Sequence, residues 1–268
     1  METGFVQAGS TRLQCFTHGS GDETVVFVHG YSASGRIWRL VQEALNSDRF
    51  RSIALSNRGA GDSDRTNREE DYTVDAFARD LFSAVESLGL RNFTLVGHSM
   101  GAATVTRFAL DHQSLLKALV LLDPAPLDAR TRSTPPGGGE PRQLVSDVDD
   151  ARAPAAFLQA LQADIDRNPP ERASGGRASM SQLRLRERLS ELGMPVLVVG
   201  GDRDSLVGVD NILREYLALP TATRSLQIFH GAGHSPNKSV PGGLASVLEV
   251  FIGETVPRVA QGRTPGRG

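Results

Sequence analysis

The segment Leu95-Val96-Gly97-His98-Ser99-Met100-Gly101 is the most informative stretch of this chain. An apolar run of strand length, residues 93–96, precedes its serine, and a helical pattern, residues 102–110, follows it. Gly-x-Ser-x-Gly between a strand and a helix is typical of a nucleophile elbow, a sharp turn that lifts the serine hydroxyl above a sheet. Such a turn needs small residues two positions on either side of the serine, and the two glycines meet this requirement. The segment therefore predicts that Ser99 is a catalytic nucleophile.

Apolar runs of strand length alternate with helical patterns along most of the chain. The clearest strand candidates are residues 25–28, 93–96, 118–122 and 196–199, and weaker ones lie around Phe5, at 13–16 and at 225–228. Helical patterns fall between them at residues 74–88, 102–110 and 212–219. Continuous apolar runs are typical of strands that are buried on both faces of a parallel sheet. The alternation predicts an α/β fold with a mostly parallel central sheet flanked by helices.

Residues 124–190 interrupt this alternation. They contain no convincing strand, but they hold a Pro/Gly loop at 134–139 and helical patterns at 155–165 and 181–192. Because this stretch lies between two strong strand candidates, we expect it to be a helical cap inserted into the sheet domain.

The composition excludes several classes of protein. The 29 basic and 31 acidic side chains give a net charge of −2, so no overall field favours nucleic acid or an anionic membrane. The single cysteine, Cys15, excludes an internal disulfide framework. No apolar run approaches the roughly 20 residues that span a bilayer, and the N-terminus lacks the pattern of a signal peptide. We expect a cytoplasmic protein that has no nucleic-acid or membrane partner, no metal and no other cofactor.

Several short motifs together resemble one family. They are Val28-His29-Gly30-Tyr31, Asn57-Arg58-Gly59-Ala60-Gly61-Asp62-Ser63, the elbow, Gly201-Asp202-Arg203-Asp204 and Gly233-His234. With them the chain resembles the α/β-hydrolase superfamily over about residues 10–255. It is most similar to the small, cofactor-free bacterial esterases, lactonases and haloperoxidase-like members.

The resemblance implies the α/β-hydrolase fold with a short helical cap inserted after the sixth strand. We expect residues 1–123 and 191–256 to form the hydrolase core and residues 124–190 to form the cap. The last stretch, residues 257–268, is rich in Pro, Gly and Arg, which predicts a disordered tail.

A serine nucleophile needs a histidine base, and in this fold the order along the chain is serine, acid, histidine. Only His112, His230 and His234 follow Ser99. His234 lies in a loop with small residues after the last predicted strand, which matches the catalytic histidine loop of the family. We therefore favour His234 over His230, which closes a strand.

The acid is expected at the end of a strand, where it can orient the histidine. The family pattern Gly-x-x-Asp-x-x-Val falls on Asp204. Asp202 and Asp123 are alternatives, and Asp123 is the stronger one because some relatives carry the acid at the end of the strand before the cap.

Residues 29–31 resemble the oxyanion loop of the family. The backbone N–H groups of Tyr31 and Met100 would then stabilise the charge of a tetrahedral intermediate. His29 is interpreted as a structural residue within that loop. The apolar side chains of Tyr31, Phe157 and Leu161 are candidates for lining a substrate pocket.

The resemblance implies a serine hydrolase that cleaves a small or medium, partly hydrophobic carboxylic ester or lactone through an acyl-enzyme. Alternatives with the same triad are a carbon–carbon bond hydrolase and an acyltransferase, and a further alternative is a hydrolase-derived receptor for a small molecule. A haloalkane dehalogenase or epoxide hydrolase is disfavoured, since such relatives carry Asp where this chain has Ser99.

Overall fold

One eight-stranded sheet runs through the part of the chain that the computed structural model describes, residues 1–129 and 148–256. The spatial order of the strands is β1-β2-β4-β3-β5-β6-β7-β8. The first two pairings, β1 with β2 and β2 with β4, are antiparallel, and all the others are parallel. The strands are β1 (Glu2–Ala8), β2 (Thr11–His18), β3 (Glu23–Val28), β4 (Phe50–Leu55), β5 (Phe93–His98), β6 (Leu116–Leu122), β7 (Val196–Gly201) and β8 (Arg224–Phe229).

Helices lie between the parallel strands and after the last of them. They are α1 (Arg39–Ala44), α2 (Val74–Ser87), α3 (Met100–His112), α4 (Ala155–Asp166), α5 (Pro170–Met180), α6 (Val209–Ala218), α7 (Pro236–Ser239) and α8 (Pro241–Val250). None of those in the described ranges combines the length and the apolar character that crossing a bilayer requires.

Two hydrophobic clusters cover the two faces of the sheet. Val26 of β3 packs with α2 and α3, whereas its neighbour Phe27 packs with Trp38 and α8. This division follows from the strand geometry, in which successive side chains point to opposite faces. Both clusters are apolar, so residues 25–28 of β3, 95–96 of β5 and 118–122 of β6 are apolar and buried. The predicted α/β-hydrolase fold class is confirmed.

The strand β4 is absent from the predictions made above. Its sequence, Phe-Arg-Ser-Ile-Ala-Leu, has two polar residues at its second and third positions and does not form a continuous apolar run. It pairs with β3 in parallel and with β2 in antiparallel orientation, and these neighbours bury all of it except Arg51. Its place in the sheet is thus decided by pairing with distant segments of the chain.

The segment between β6 and β7, residues 124–190, is called the insertion below. It contains α4, close to the predicted bounds, and α5, which carries no apolar stripe and was not predicted. The helix predicted at 181–192 is wrong: a 3₁₀ helix covers Arg186–Glu191. There Arg186 turns inward to bind the buried Glu215 of α6. The predicted Pro/Gly loop at 134–139 and the predicted tail at 257–268 lie outside the described residues.

Two leucines allow a matched test of this packing. Leu81 of α2 is 2% exposed within the first cluster, and Leu217 of α6 is 62% exposed. We expect Leu81→Ala to lower the free energy of unfolding by about 2–5 kcal/mol, because it leaves a cavity. We expect Leu217→Ala to change it by less than about 0.5 kcal/mol. Urea unfolding of both variants measures the difference, and equal effects would contradict the assignment of these faces.

Candidate active site

Four neighbouring parallel strands end at one edge of the sheet, and each is followed by a residue of the predicted site. Ser99 directly follows β5 and Asp123 directly follows β6. Asp204 lies in the loop after β7, and His234 lies in the loop after β8. In open α/β sheets the carboxyl ends of the strands form the usual ligand crevice. The topology therefore brings these four residues to the same edge.

Ser99 occupies a strained turn. Its φ of 55° and ψ of −120° are rarely adopted by a residue with a side chain, and such strain costs about 1–3 kcal/mol. A Cβ on Gly97 would lie 2.5 Å from Cγ2 of Val105, and one on Gly101 would lie 2.5 Å from the carbonyl oxygen of His29. The two glycines are thus required by close contacts on both sides of the serine.

The two predicted oxyanion donors belong to segments that meet at Ser99. Met100 is the first residue of α3, so its N–H has no partner within the helix. A Cβ on Gly30 would lie 3.0 Å from Cβ of Ser99, which shows that the loop leading to Tyr31 passes directly beside the nucleophile.

His234 is bound to Asp204. The Nδ1 of His234 lies 2.8 Å from Oδ2 of Asp204, and both residues are buried. The other oxygen of Asp204 accepts the backbone N–H groups of Leu206 at 2.8 Å and Val207 at 3.0 Å. Burial alone would raise the pKa of Asp204, but His234 and these N–H groups lower it below its usual value. A carboxylate only accepts hydrogen bonds, so Nδ1 of His234 is the donor in this pair.

Asp123 is a second buried carboxyl group beside this pair. Its Oδ1 accepts the N–H of Gly201 at 3.0 Å, and its carboxyl group lies beside that of Asp204, within 4.8 Å. Burial, followed by the negative charge of Asp204, raises the pKa of Asp123 well above its usual value. The site therefore favours the protonated form of Asp123.

Asp123, Asp204 and His234 also form the one group within the described ranges that could supply three metal ligands. One ligand atom of each lies within 4.8 Å of the others. A metal ion there would have to displace the hydrogen bond between His234 and Asp204.

Two other histidines support the surrounding backbone. The Nε2 of His98 donates to the carbonyl oxygen of His234 at 2.7 Å. Burial lowers the pKa of His98 to about 3, so it is neutral. His29 donates from Nδ1 to the carbonyl oxygen of Gly30 at 2.7 Å and accepts the N–H of Asn57 at Nε2. These contacts agree with the structural role expected for His29. The sequence did not predict a role for His98.

The alternatives His230 and Asp202 lie outside the buried group. The side chain of His230 is 91% exposed, and its Nδ1 lies 2.7 Å from Oδ2 of Asp202. The second oxygen of Asp202 accepts the N–H of Gly231. The two residues form a separate pair on the surface of the loop.

Residues 230–235, which follow β8 and carry His234, are called the histidine loop below. The insertion contacts this loop through Asp149, a residue that the sequence did not predict. Asp149 accepts the N–H of Gly233 at 2.9 Å and that of Ser235 at 2.6 Å, the residues on either side of His234. Asp149 is fully buried. No motif marks it in the sequence, because its partners are backbone groups more than 80 positions away.

The insertion also contacts the predicted oxyanion loop. The phenol of Tyr31 donates to the carbonyl oxygen of Ala173 at 2.5 Å, and Arg172 donates to the carbonyl oxygen of Tyr31. A Cβ on Gly176 would lie 3.0 Å from the ring of Tyr31 and 3.5 Å from Sδ of Met100. Helix α5 therefore lies against the two residues predicted to hold the oxyanion.

Phe157 and Leu161, the other predicted pocket residues, lie on α4. Both are buried in the cluster that contains Trp38 and Leu248. Contact with a substrate stays a prediction for these two side chains.

The protonation of Asp123 can be tested through stability. An unfolded aspartate has a pKa of about 3.9, and the folded protein holds the pKa of Asp123 well above that value. As the pH rises above about 4, the unfolded chain loses this proton while the folded protein keeps it, so Asp123 makes folding less favourable. We therefore expect the melting temperature of Asp123→Asn relative to the unchanged protein to rise between pH 4 and pH 7.

Thermal unfolding over this pH range measures the difference, with the exposed Asp166→Asn as the control for replacing a carboxyl by an amide. A difference that does not change with pH would show that Asp123 is ionised in the folded protein.

Comparison with known proteins agrees with this architecture. The chain is 27% identical over 241 residues to the non-heme chloroperoxidase CPO-A1 of Kitasatospora aureofaciens, which spans 78% of this chain and 84% of that protein. Among solved structures, an esterase from Exiguobacterium antarcticum superposes with a TM-score of 0.78 and 21% identity, covering 92% of this chain and 98% of that one. A bromoperoxidase from Bacillus anthracis superposes with a TM-score of 0.76 and 22% identity, covering 94% of this chain and 99% of that one.

A family model described as the alpha/beta hydrolase fold matches residues 23–238. The matched range includes the elbow, all three candidate acids and the histidine loop. Because this match covers well over half of the chain, the protein belongs to the α/β-hydrolase fold family.

Proposed function

We propose that the protein is a serine hydrolase that cleaves small or medium, partly hydrophobic carboxylic esters or lactones. The observation that carries the proposal is the joint placement of the strained Ser99 and the buried His234–Asp204 pair at one sheet edge. In this arrangement Ser99 is the nucleophile, His234 is the base and Asp204 is the acid that orients the base. The esterase among the structural relatives supports a carboxylic ester as the substrate class.

The first half of the reaction forms an acyl-enzyme. The hydroxyl oxygen of Ser99 attacks the substrate carbonyl, and its proton passes to Nε2 of His234, since Nδ1 is bound to Asp204. Asp204 stabilises the imidazolium that forms. The negative charge on the former carbonyl oxygen is held by the N–H groups of Tyr31 and Met100. His234 then gives its proton to the leaving alkoxide, and the alcohol departs.

The second half of the reaction frees the acid. His234 removes a proton from a water molecule, and the resulting hydroxide attacks the acyl-enzyme carbonyl. The same two N–H groups hold the oxyanion again. The bond to Ser99 breaks as His234 returns a proton to the serine oxygen, and the carboxylic acid leaves.

The contacts next to Ser99 support the partly hydrophobic character of the proposed substrate. The ring of Tyr31 and the thioether of Met100 lie against Gly176 of α5, and Met100 is buried there. The half-buried ring of Tyr31 would contact the substrate, with Phe157 and Leu161 as further candidates.

The nucleophile is tested by labelling with a small, uncharged fluorophosphonate and measuring the intact mass. We expect one adduct on the unchanged protein and none on Ser99→Ala, because only an activated serine reacts with this reagent. Ser246→Ala, which removes an exposed hydroxyl on α8, is the matched control and should label like the unchanged protein. An unlabelled but folded unchanged protein would contradict the hydrolase proposal and favour the receptor alternative.

The acid is tested by a pair of isosteric changes. We expect Asp204→Asn to lower kcat/KM for 4-nitrophenyl acetate by about 10⁴-fold, since an amide does not hold the histidine in the required tautomer. Asp123→Asn should cost much less, because it is Asp204 that is bound to Nδ1 of His234. The opposite ranking would assign the role of the acid to Asp123.

A further inference from the structure

We propose that Asp149 of the insertion is a positioning residue that holds the catalytic His234 in place through the backbone on both of its sides. This inference rests on the proposed function, because it assumes that His234 is the base. It assigns a part of the catalytic machinery to the insertion, which otherwise would only cover the site.

The geometry is that of one carboxylate bridging two backbone donors. Oδ1 of Asp149 accepts the N–H of Gly233 at 2.9 Å, and Oδ2 accepts the N–H of Ser235 at 2.6 Å. Hydrogen bonds to an ionised acceptor are about twice as strong as those between neutral groups. Because each oxygen binds one neighbour of His234, rotation of the backbone at His234 would break at least one of the two bonds.

The histidine loop needs such contacts, because its glycines give its backbone a large conformational freedom. Glycines occupy positions 231 and 233, and Gly231 has a φ of 74°. Glycine has the largest backbone freedom of all residues, so an unsupported loop of this composition would sample many conformations. Misplacement of a catalytic group by about 1 Å lowers rates by about 100-fold.

Residues other than Asp149 bind the ring and the carbonyl oxygen of His234. The ring of His234 is held by Asp204, and its carbonyl oxygen accepts a hydrogen bond from His98. Both of these partners belong to the hydrolase core. Asp149 belongs to the insertion and binds the N–H groups on the opposite sides of the same residue. Three consecutive residues of the loop are thereby bound at their backbone atoms.

A second contact, made by Asp150, attaches the segment that carries Asp149 next to the histidine loop. The neighbouring residue Asp150 forms an ion pair with Lys238 of α7, which is buried. The segment that carries Asp149 is thus bound to the histidine loop at residue 149 and to the helix that follows this loop at residue 150.

Asparagine at this position distinguishes the carboxylate from a side chain of the same shape. An amide offers one acceptor oxygen, so it can bind only one of the two N–H groups. The NH₂ group of the asparagine would then face the remaining backbone N–H, and two donors cannot form a hydrogen bond with each other. Asp149→Asn therefore keeps the volume and removes half of the contact.

Asp164 of α4 supplies a matched control. It too is a buried aspartate of the insertion, and it accepts hydrogen bonds from Ser34 at 2.6 Å and Arg36 at 2.8 Å. Asp164→Asn therefore weakens the attachment of the insertion to the core without removing either of the N–H contacts beside His234.

The experiment compares the unchanged protein, Asp149→Asn and Asp164→Asn. The first readout is the rate of fluorophosphonate labelling of Ser99, and the second is kcat and KM for 4-nitrophenyl acetate. We expect Asp149→Asn to label about 10- to 100-fold more slowly and to lower kcat with little change in KM. Asp164→Asn should label at nearly the rate of the unchanged protein.

Equal labelling rates in Asp149→Asn and the unchanged protein would overturn the inference and leave the hydrolase proposal intact. Equal losses in both variants would also overturn it, because they would reflect a general loosening of the insertion. Absence of labelling in the unchanged protein would contradict the hydrolase proposal itself and remove the basis of this inference.

A measurement on the unchanged protein covers the case in which Asp149→Asn does not fold. Amide hydrogen exchange followed by NMR reports on the N–H groups of Gly233 and Ser235 individually. Slow exchange of both N–H groups, despite their position in a loop, supports the hydrogen bonds to Asp149. Exchange at the rate of an unprotected loop would overturn it.

Discussion

The close approach of three backbone segments around Ser99 is the constraint on which the site depends. The end of β5 turns so tightly into α3 that Gly101 packs against the carbonyl oxygens of Val28 and His29. The serine is strained in this turn, and the buried strands on both sides maintain the strain, since relaxing it would disrupt the sheet. The same approach brings the loop of Gly30 to within contact of the nucleophile, so the turn positions both the hydroxyl and the oxyanion loop.

The second constraint on the site is the electrostatic interaction between its buried carboxyl groups. Two carboxyl groups, Asp123 and Asp204, lie side by side away from water, and like charges at this distance cannot both be ionised at low cost. The N–H groups of Leu206 and Val207 together with His234 favour the charge on Asp204. Burial raises the pKa of Asp123. The surroundings thus favour placing the negative charge on Asp204, the member of the pair that is bound to His234.

The insertion contributes contacts to the site. Asp149 contacts the loop of His234, and α5 contacts Tyr31, so both halves of the proposed machinery are attached to residues 124–190. Burial lowers the pKa of Arg172 to about 10, which leaves a cation bonded to the carbonyl oxygen of Tyr31 at neutral pH. Changes in the position of the insertion would therefore alter the alignment of the catalytic groups as well as access to them.

The local sequence determined the elements whose signals are local. The elbow, the apolar strands and helices such as α2 could be predicted because burial on both faces of a sheet requires apolar runs, and a tight turn requires glycine. Strand β4, helix α5 and the role of Asp149 could not be predicted, since each depends on partners far away in the sequence. Pairing along β4 and the two N–H groups bound by Asp149 arise only when the chain is folded, because backbone groups carry no mark in the sequence of what they will bind.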